Sequence, residues 1–255
     1  MTTMFAPCTT LGPRTARNCG TALGQCCDRL RTLNPDYPRM YAVAAMADEG
    51  RRRWWALEGA PTGDRVHRMW KRALEDLGHP EAAAMQVATS LIHAVVGRVA
   101  ALFVLEARAW DPGVENLHIH MDNDEGIDWA GVADETLRVL PGDPLAATSG
   151  TVTLPCERAL ALWTAHRCTG SLTTVFDAVA RCTPIDAQRF WSAVGDAVLG
   201  ASGCVPLMAG GGDLAAHRRG QLLLDGFVAA GLPVRERHRR VPAEWSRRRR
   251  LQYTA

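Results

Sequence analysis

Apolar and polar positions alternate along the chain with two different periods. Residues 80–109 are apolar round most of a helical surface, which predicts a long central helix buried on most sides. His93, Gly97 and Arg98 interrupt it. Beyond the breaker Asp111-Pro112-Gly113 the period changes to two. Over residues 114–124, Leu117, Ile119 and Met121 alternate with His118, His120, Asp122 and Asp124, which predicts a half-buried strand. Upstream, helices are predicted over residues 21–32 and 65–77. The second carries Val66, Met69, Trp70, Ala73 and Leu77 on one face, with Asp64 as its N-cap and Gly78 closing it. Downstream, helices are predicted over residues 155–165, 171–182, 184–199 and 217–230. Residues 41–47 and 127–139 fit strand or helix equally.

The expected fold is therefore α+β and predominantly helical, a long buried central helix with a small antiparallel sheet. The expected organisation is a loose arm over residues 1–20, an α+β part over 21–140, a helical part over 141–234 and a basic tail over 235–255. One continuous domain is the alternative reading. No internal repeat is visible.

Composition narrows the partners. Of the 255 residues, 47% are hydrophobic and 22% charged, enough to build a core rather than a disordered chain. The net charge of +2 singles out no partner. Lys71 is the only lysine among 29 basic residues, a bias of GC-rich, actinobacterial-type genomes rather than a nucleic-acid signal. Arginine binds carboxylate and phosphate in a bidentate way, so an anionic small molecule fits this composition. Residues 1–11 lack the pattern of a secretory signal. The apolar stretch 82–110 is broken by Gln86, His93, Arg98, Glu106 and Arg108, against a membrane span of about 20 uncharged residues. A cytoplasmic location is expected, with the eight cysteines mostly reduced. None of them forms a C-x-x-C pair, which argues against a zinc ribbon or finger.

The sharpest local chemistry lies in His118-Ile119-His120-Met121-Asp122. On a strand, His118, His120 and Asp122 share one face at spacings of about 7 Å. Two imidazoles and a carboxylate are the donor set of a divalent transition metal, or an acid and a base. The plainer reading is the solvent face of a half-buried strand. His93 and Arg98 are the polar residues of the central helix. A buried arginine needs a partner, either a carboxylate such as Glu106 or an anionic ligand in a cleft. Cys26-Cys27, with Cys8 and Cys19, suggests a redox or cluster site, but the spacings match no cluster pattern. The run Gly210-Gly211-Gly212 lacks the lysine of a phosphate loop and reads as a helix connection. Arg247 to Arg250, with Trp245, reads as a solvated charge run, with nucleic acid or acidic lipid as the sharper alternative.

From Trp191-Ser192-Ala193-Val194-Gly195-Asp196-Ala197-Val198-Leu199-Gly200-Ala201 the chain resembles the FhuF-like ferric siderophore reductases, whose domain type also occurs in aerobactin-type siderophore synthetases. The order of elements follows that family: an apolar central helix over residues 82–110, a strand region over 116–124, the Trp191 segment, a helix over 221–230 and an arginine run at 247–250. The resemblance implies a scaffold with a cleft for an anionic or siderophore-like molecule, bound by His93, Arg98 and Trp191. The family's arginine run leads into Cys-Cys and a later C-x-x-C that hold a [2Fe–2S] cluster. Here no cysteine follows Cys204, so no C-terminal cluster is expected.

Three readings follow. The first is a cluster-less FhuF-like enzyme of secondary-metabolite biosynthesis, using His118, His120 and Asp122 as acid, base or metal ligands, with His93 and Arg98 orienting the substrate. The second is an iron- or siderophore-binding or reducing protein whose cluster is absent or built from the N-terminal cysteines. The third is a non-catalytic partner protein that docks through its basic tail or Trp54-Trp55. A homodimer is compatible with each.

Overall fold

The computed structural model describes residues 20–50, 52–211 and 214–235. The fold is mostly helical with two small sheets, built round a long buried helix. Helix α1 (Ala22–Thr32) starts where Thr21 accepts a hydrogen bond from the Gly24 amide at 3.0 Å. It buries Leu23, Cys26, Cys27 and Leu30. Helix α2 (Arg65–Leu77) buries Val66, Met69 and Ala73 and stops at Gly78, whose φ of 67° is left-handed. Asp64 precedes α2 without capping it through its side chain.

The central helix runs from Pro80 to Glu106 in three parts: α3 (Pro80–Ile92), a π-turn (His93–Gly97) and α4 (Arg98–Glu106). Pro80 occupies the first turn, where its missing N–H is not needed. Ala107, at φ 53°, stops it at Glu106, three residues before the expected limit. By length and composition this helix could cross a bilayer, but 83% of its apolar window is buried inside the protein. Val95, Val96, Val99, Leu102 and Phe103 have no exposed surface.

The period-two segment forms β3 (Leu117–Met121), and its burial alternates as the side chains do. It pairs antiparallel with β2 (Trp54–Ala56) on one side and with β4 (Ile127–Val132) on the other. Strand β1 (Ala44–Ala45) adds to β4 in parallel, giving the order β1-β4-β3-β2. The expected antiparallel ladder is there, and the parallel edge strand β1 makes the sheet mixed. A parallel pair, β5 (Leu137–Val139) with β6 (Thr151–Thr153), forms the second sheet.

Helix α5 (Glu157–Ala180) is continuous where two helices are predicted. Thr164, Thr169, Thr173 and Thr174 satisfy their hydroxyls on the carbonyls four residues back, so Cys168 to Ser171 need not leave the helix. Helix α6 (Ala187–Met208) is capped by Asp186 on the Gln188 amide at 2.8 Å, and continues through Pro206 beyond the expected end. Helix α7 (Leu214–Ala229) packs on α5 and α6, while α4 packs on α6 and α7. Buried residues from α1 through Val234 form one hydrophobic cluster. The expected basic run at residues 247–250, Trp245, Cys8 and Cys19 lie outside the described residues.

Candidate functional site

The core-facing side of the four-stranded sheet takes Leu117, Ile119, Met121, Ala130 and Val132. The other side therefore presents His118 and His120. Cross-strand partners share a face, so Trp54 and Trp129 flank His120, while Ala56 and Gly131 flank His118. The two indoles reach across β3: their centroids are 5.8 Å apart, and Trp54 lies 5.1 Å from the His120 ring. Gly131 leaves the room that Trp54 and Met46 need. A Cβ there would approach Met46 Sδ to 2.7 Å and the Trp54 ring to 3.0 Å.

The register slips between His120 and Met121, which pair with Trp129 and Ile127. Asp128 is the extra residue of this β-bulge, and a bulge re-aims a side chain. Asp128 Oδ1 accepts the Nδ1–H of His120 at 2.5 Å, and its Oδ2 accepts Arg39 Nη1 at 3.0 Å. An ionised carboxylate only accepts, so the imidazole is the donor. That assignment leaves Nε2 with the lone pair of the neutral ring, and Nε2 makes no hydrogen bond among the described residues. Arg39 also stacks over Trp129, its Cζ 4.4 Å from the ring centroid. His118 Nδ1 and Trp129 Nε1 are buried without a hydrogen-bond partner among the described residues.

Of the predicted triad, His118 and His120 come together. Asp122 Oδ1 instead accepts the amides of Asp124 (2.9 Å) and Gly126 (2.8 Å), closing the β3–β4 turn. The carboxylate on His120 is Asp128. Among the described residues, no three or more His, Cys, Asp or Glu side chains are grouped to hold a metal ion, and His118, His120 and Asp122 do not form such a set.

His93 and Arg98 both point to the segment between α1 and β1. Arg98, 3% exposed, donates from Nη1 to the carbonyls of Arg39 and Ala42, the latter at 2.7 Å. His93 Nε2 donates to the Met40 carbonyl at 2.9 Å, and the ring meets Tyr41 edge-on at 5.7 Å. The partners of the buried arginine are thus backbone carbonyls. Glu106 pairs instead with Arg29 at 2.9 Å and with Arg108. Burial lowers the Arg98 pKa to about 10, although the Asp128 charge opposes the shift. Burial, then the Arg98 charge, pushes His93 below the usual imidazole range, so it is neutral at pH 7. Trp191 packs edge-on against Phe190 on α6 and is partly buried against the core.

Cys26 and Cys27 face the core from α1. Burial pushes their thiols up to about 12 and about 11, which keeps them protonated and unreactive near neutral pH. Trp54 and Trp55 point to opposite faces of the sheet, so they do not form one patch. A polar cleft of about 530 Å³ lies between α2 and the β3–β4 turn. Arg68, Lys71 and Arg72 line it against Glu75, Asp124 and Glu125, and it holds none of the predicted site residues.

Sequence reasoning missed Asp128, Arg39 and Trp129, and singled out Trp54 only as part of a docking patch with Trp55. The one sequence signal for Trp129 is its aromatic character in a stretch that strand or helix fits, because Ile127 and Ala130 reach the core side three residues apart and no period of two runs through them. Asp128 carried no such signal, because only the bulge turns it towards His120. The chain matches no family model, no curated protein and no solved structure.

Proposed function

We propose that the outer face of the four-stranded sheet is the catalytic site of a small-molecule enzyme, and that His120 exchanges a proton with the substrate through Nε2. The observation that carries this reading is the 2.5 Å hydrogen bond from His120 Nδ1 to Asp128 Oδ1. A carboxylate on one imidazole nitrogen selects the tautomer, orients the ring and stabilises the imidazolium that forms when the other nitrogen takes a proton. His118 lies on the same face as the second proton-carrying group, at about 7 Å along the strand. Trp54 and Trp129 offer ring faces for a planar or apolar part of a substrate. Arg39, with half of its side chain exposed, offers guanidinium N–H groups to an anionic part.

The resemblance in element order adds the setting. It is a FhuF-like scaffold working in the cytoplasm on an anionic or siderophore-like intermediate of secondary metabolism. Burial of Cys26 and Cys27 gives the iron-reductase reading no support from the described residues.

The test is mass-spectrometric screening of a pool of small aromatic and hydroxamate acids and their activated derivatives, with wild type, His120→Gln and Asp128→Asn side by side. General acid–base catalysis contributes about 10²–10⁴-fold, so consumption of any substrate found should fall by that factor in His120→Gln. The unfolding midpoint should hold. Equal turnover in His120→Gln overturns the reading.

A further inference from the structure

The π-turn of the central helix has a geometric consequence for the sheet. At 3.6 residues per turn, two residues five apart lie about 140° apart round an α-helix. They cannot then reach one short segment. The i→i+5 turn winds less per residue and brings His93 and Arg98 to the same side, with the Arg98 amide bonded to the His93 carbonyl. Gly97 permits this, since a Cβ there would overlap the His93 ring. The two side chains then hold three carbonyls of one four-residue stretch: Arg39 and Ala42 by Arg98, Met40 by His93. This stretch leads into β1, which pairs with β4 at Gly131 and Val132. Arg39 projects from it onto Asp128 and Trp129, two residues of that same strand.

We infer that His93 and Arg98 are positioning residues of the sheet site, which place Arg39 against Asp128 and so hold the His120 imidazole as its Nδ1–H tautomer. The role rests on the catalytic reading of His120, but the geometry it concerns is measurable without any substrate. Asp128 has two oxygens and two partners from different elements. Oδ2 on Arg39 fixes the carboxylate plane, and a fixed plane aims Oδ1 at Nδ1. Without Arg39 the carboxylate rotates freely on the rim of the sheet, and His120 loses its directed acceptor. His93 and Arg98 act one step further back. They hydrogen-bond to neither His120 nor Asp128, and serve by immobilising the backbone from which Arg39 extends.

The experiment is ¹⁵N–¹H NMR of ring-labelled histidine in the full chain, at a pH well above imidazole titration, where the nitrogen shifts report the tautomer. Wild type should show His120 predominantly as Nδ1–H. Asp128→Asn, with its acceptor weakened, should lose that preference. Arg39→Gln, an exposed change compatible with folding, should move His120 towards the Nε2–H form that an unheld histidine prefers. Arg98→Met and His93→Phe should do the same at a distance, with the helical circular dichroism intact. An unchanged tautomer in folded Arg39→Gln, or in folded His93→Phe, overturns the proposal, and does so even if Arg98→Met fails to fold. If His120→Gln retains turnover while these tautomer shifts occur, the catalytic reading fails and the positioning network stands.

Discussion

Asp128 and Asp122 lie six residues apart, and their roles separate through a single extra residue in β4. The bulge turns Asp128 to His120, while the tight turn engages Asp122 with its own amides. His93 shows a similar dependence on context. Its pKa is lowered by burial and by Arg98. A base that resists protonation when folded stabilises the fold fully above its unfolded pKa of 6.5, and that contribution is lost as the pH falls through the lower folded value. Wild type should therefore lose more stability than His93→Gln between neutral pH and about pH 5. Urea unfolding of both proteins at the two pH values checks this, and equal losses would contradict it.

Elements were legible where amphipathic period and punctuation agreed. Helix α2, with Gly78 after it, has its predicted limits. The strand at β3 was legible from its alternation. Helix α5 was not, because Gly170 and the threonines look like a break in one dimension, yet each hydroxyl finds a carbonyl within the helix. Helix α6 allows a direct test of how neighbours decide a substitution. The Val234 carbonyl lies against Gly195, where a side chain would overlap it, whereas nothing lies within 4 Å of a Cβ at Gly200. Gly195→Ala should cost about 1–3 kcal/mol through overpacking. Gly200→Ala should stabilise by roughly 0.5–1 kcal/mol through helix propensity. Opposite signs in chemical denaturation are the expected outcome.

At the scale of the molecule, a single hydrophobic cluster joins α1, the central helix, both sheets and α5 to α7. A shared core predicts one cooperative unfolding transition. Cys156 and Cys204 are exposed, while Cys26, Cys27 and Cys168 are buried. Native protein should therefore react quickly with a thiol reagent at the first pair. The three buried thiols should react only in step with the loss of helical signal. Labelling of Cys26 or Cys27 before that loss would show that α1 opens independently.

The buried central helix, the half-buried histidine strand and the predominance of helix are all readable from the chain, because each rests on a local period that burial on one side imposes. It also placed His93 and Arg98 in the core, where a polar group must find partners. Tertiary structure alone decided what those partners are: carbonyls from a segment some 55 residues upstream, brought to one side of the helix by the π-turn. It alone decided which carboxylate meets His120, and that two tryptophans from separate strands flank it. Strand register, a bulge and the path of a connecting segment are properties of pairs of elements, and no single stretch of sequence records them.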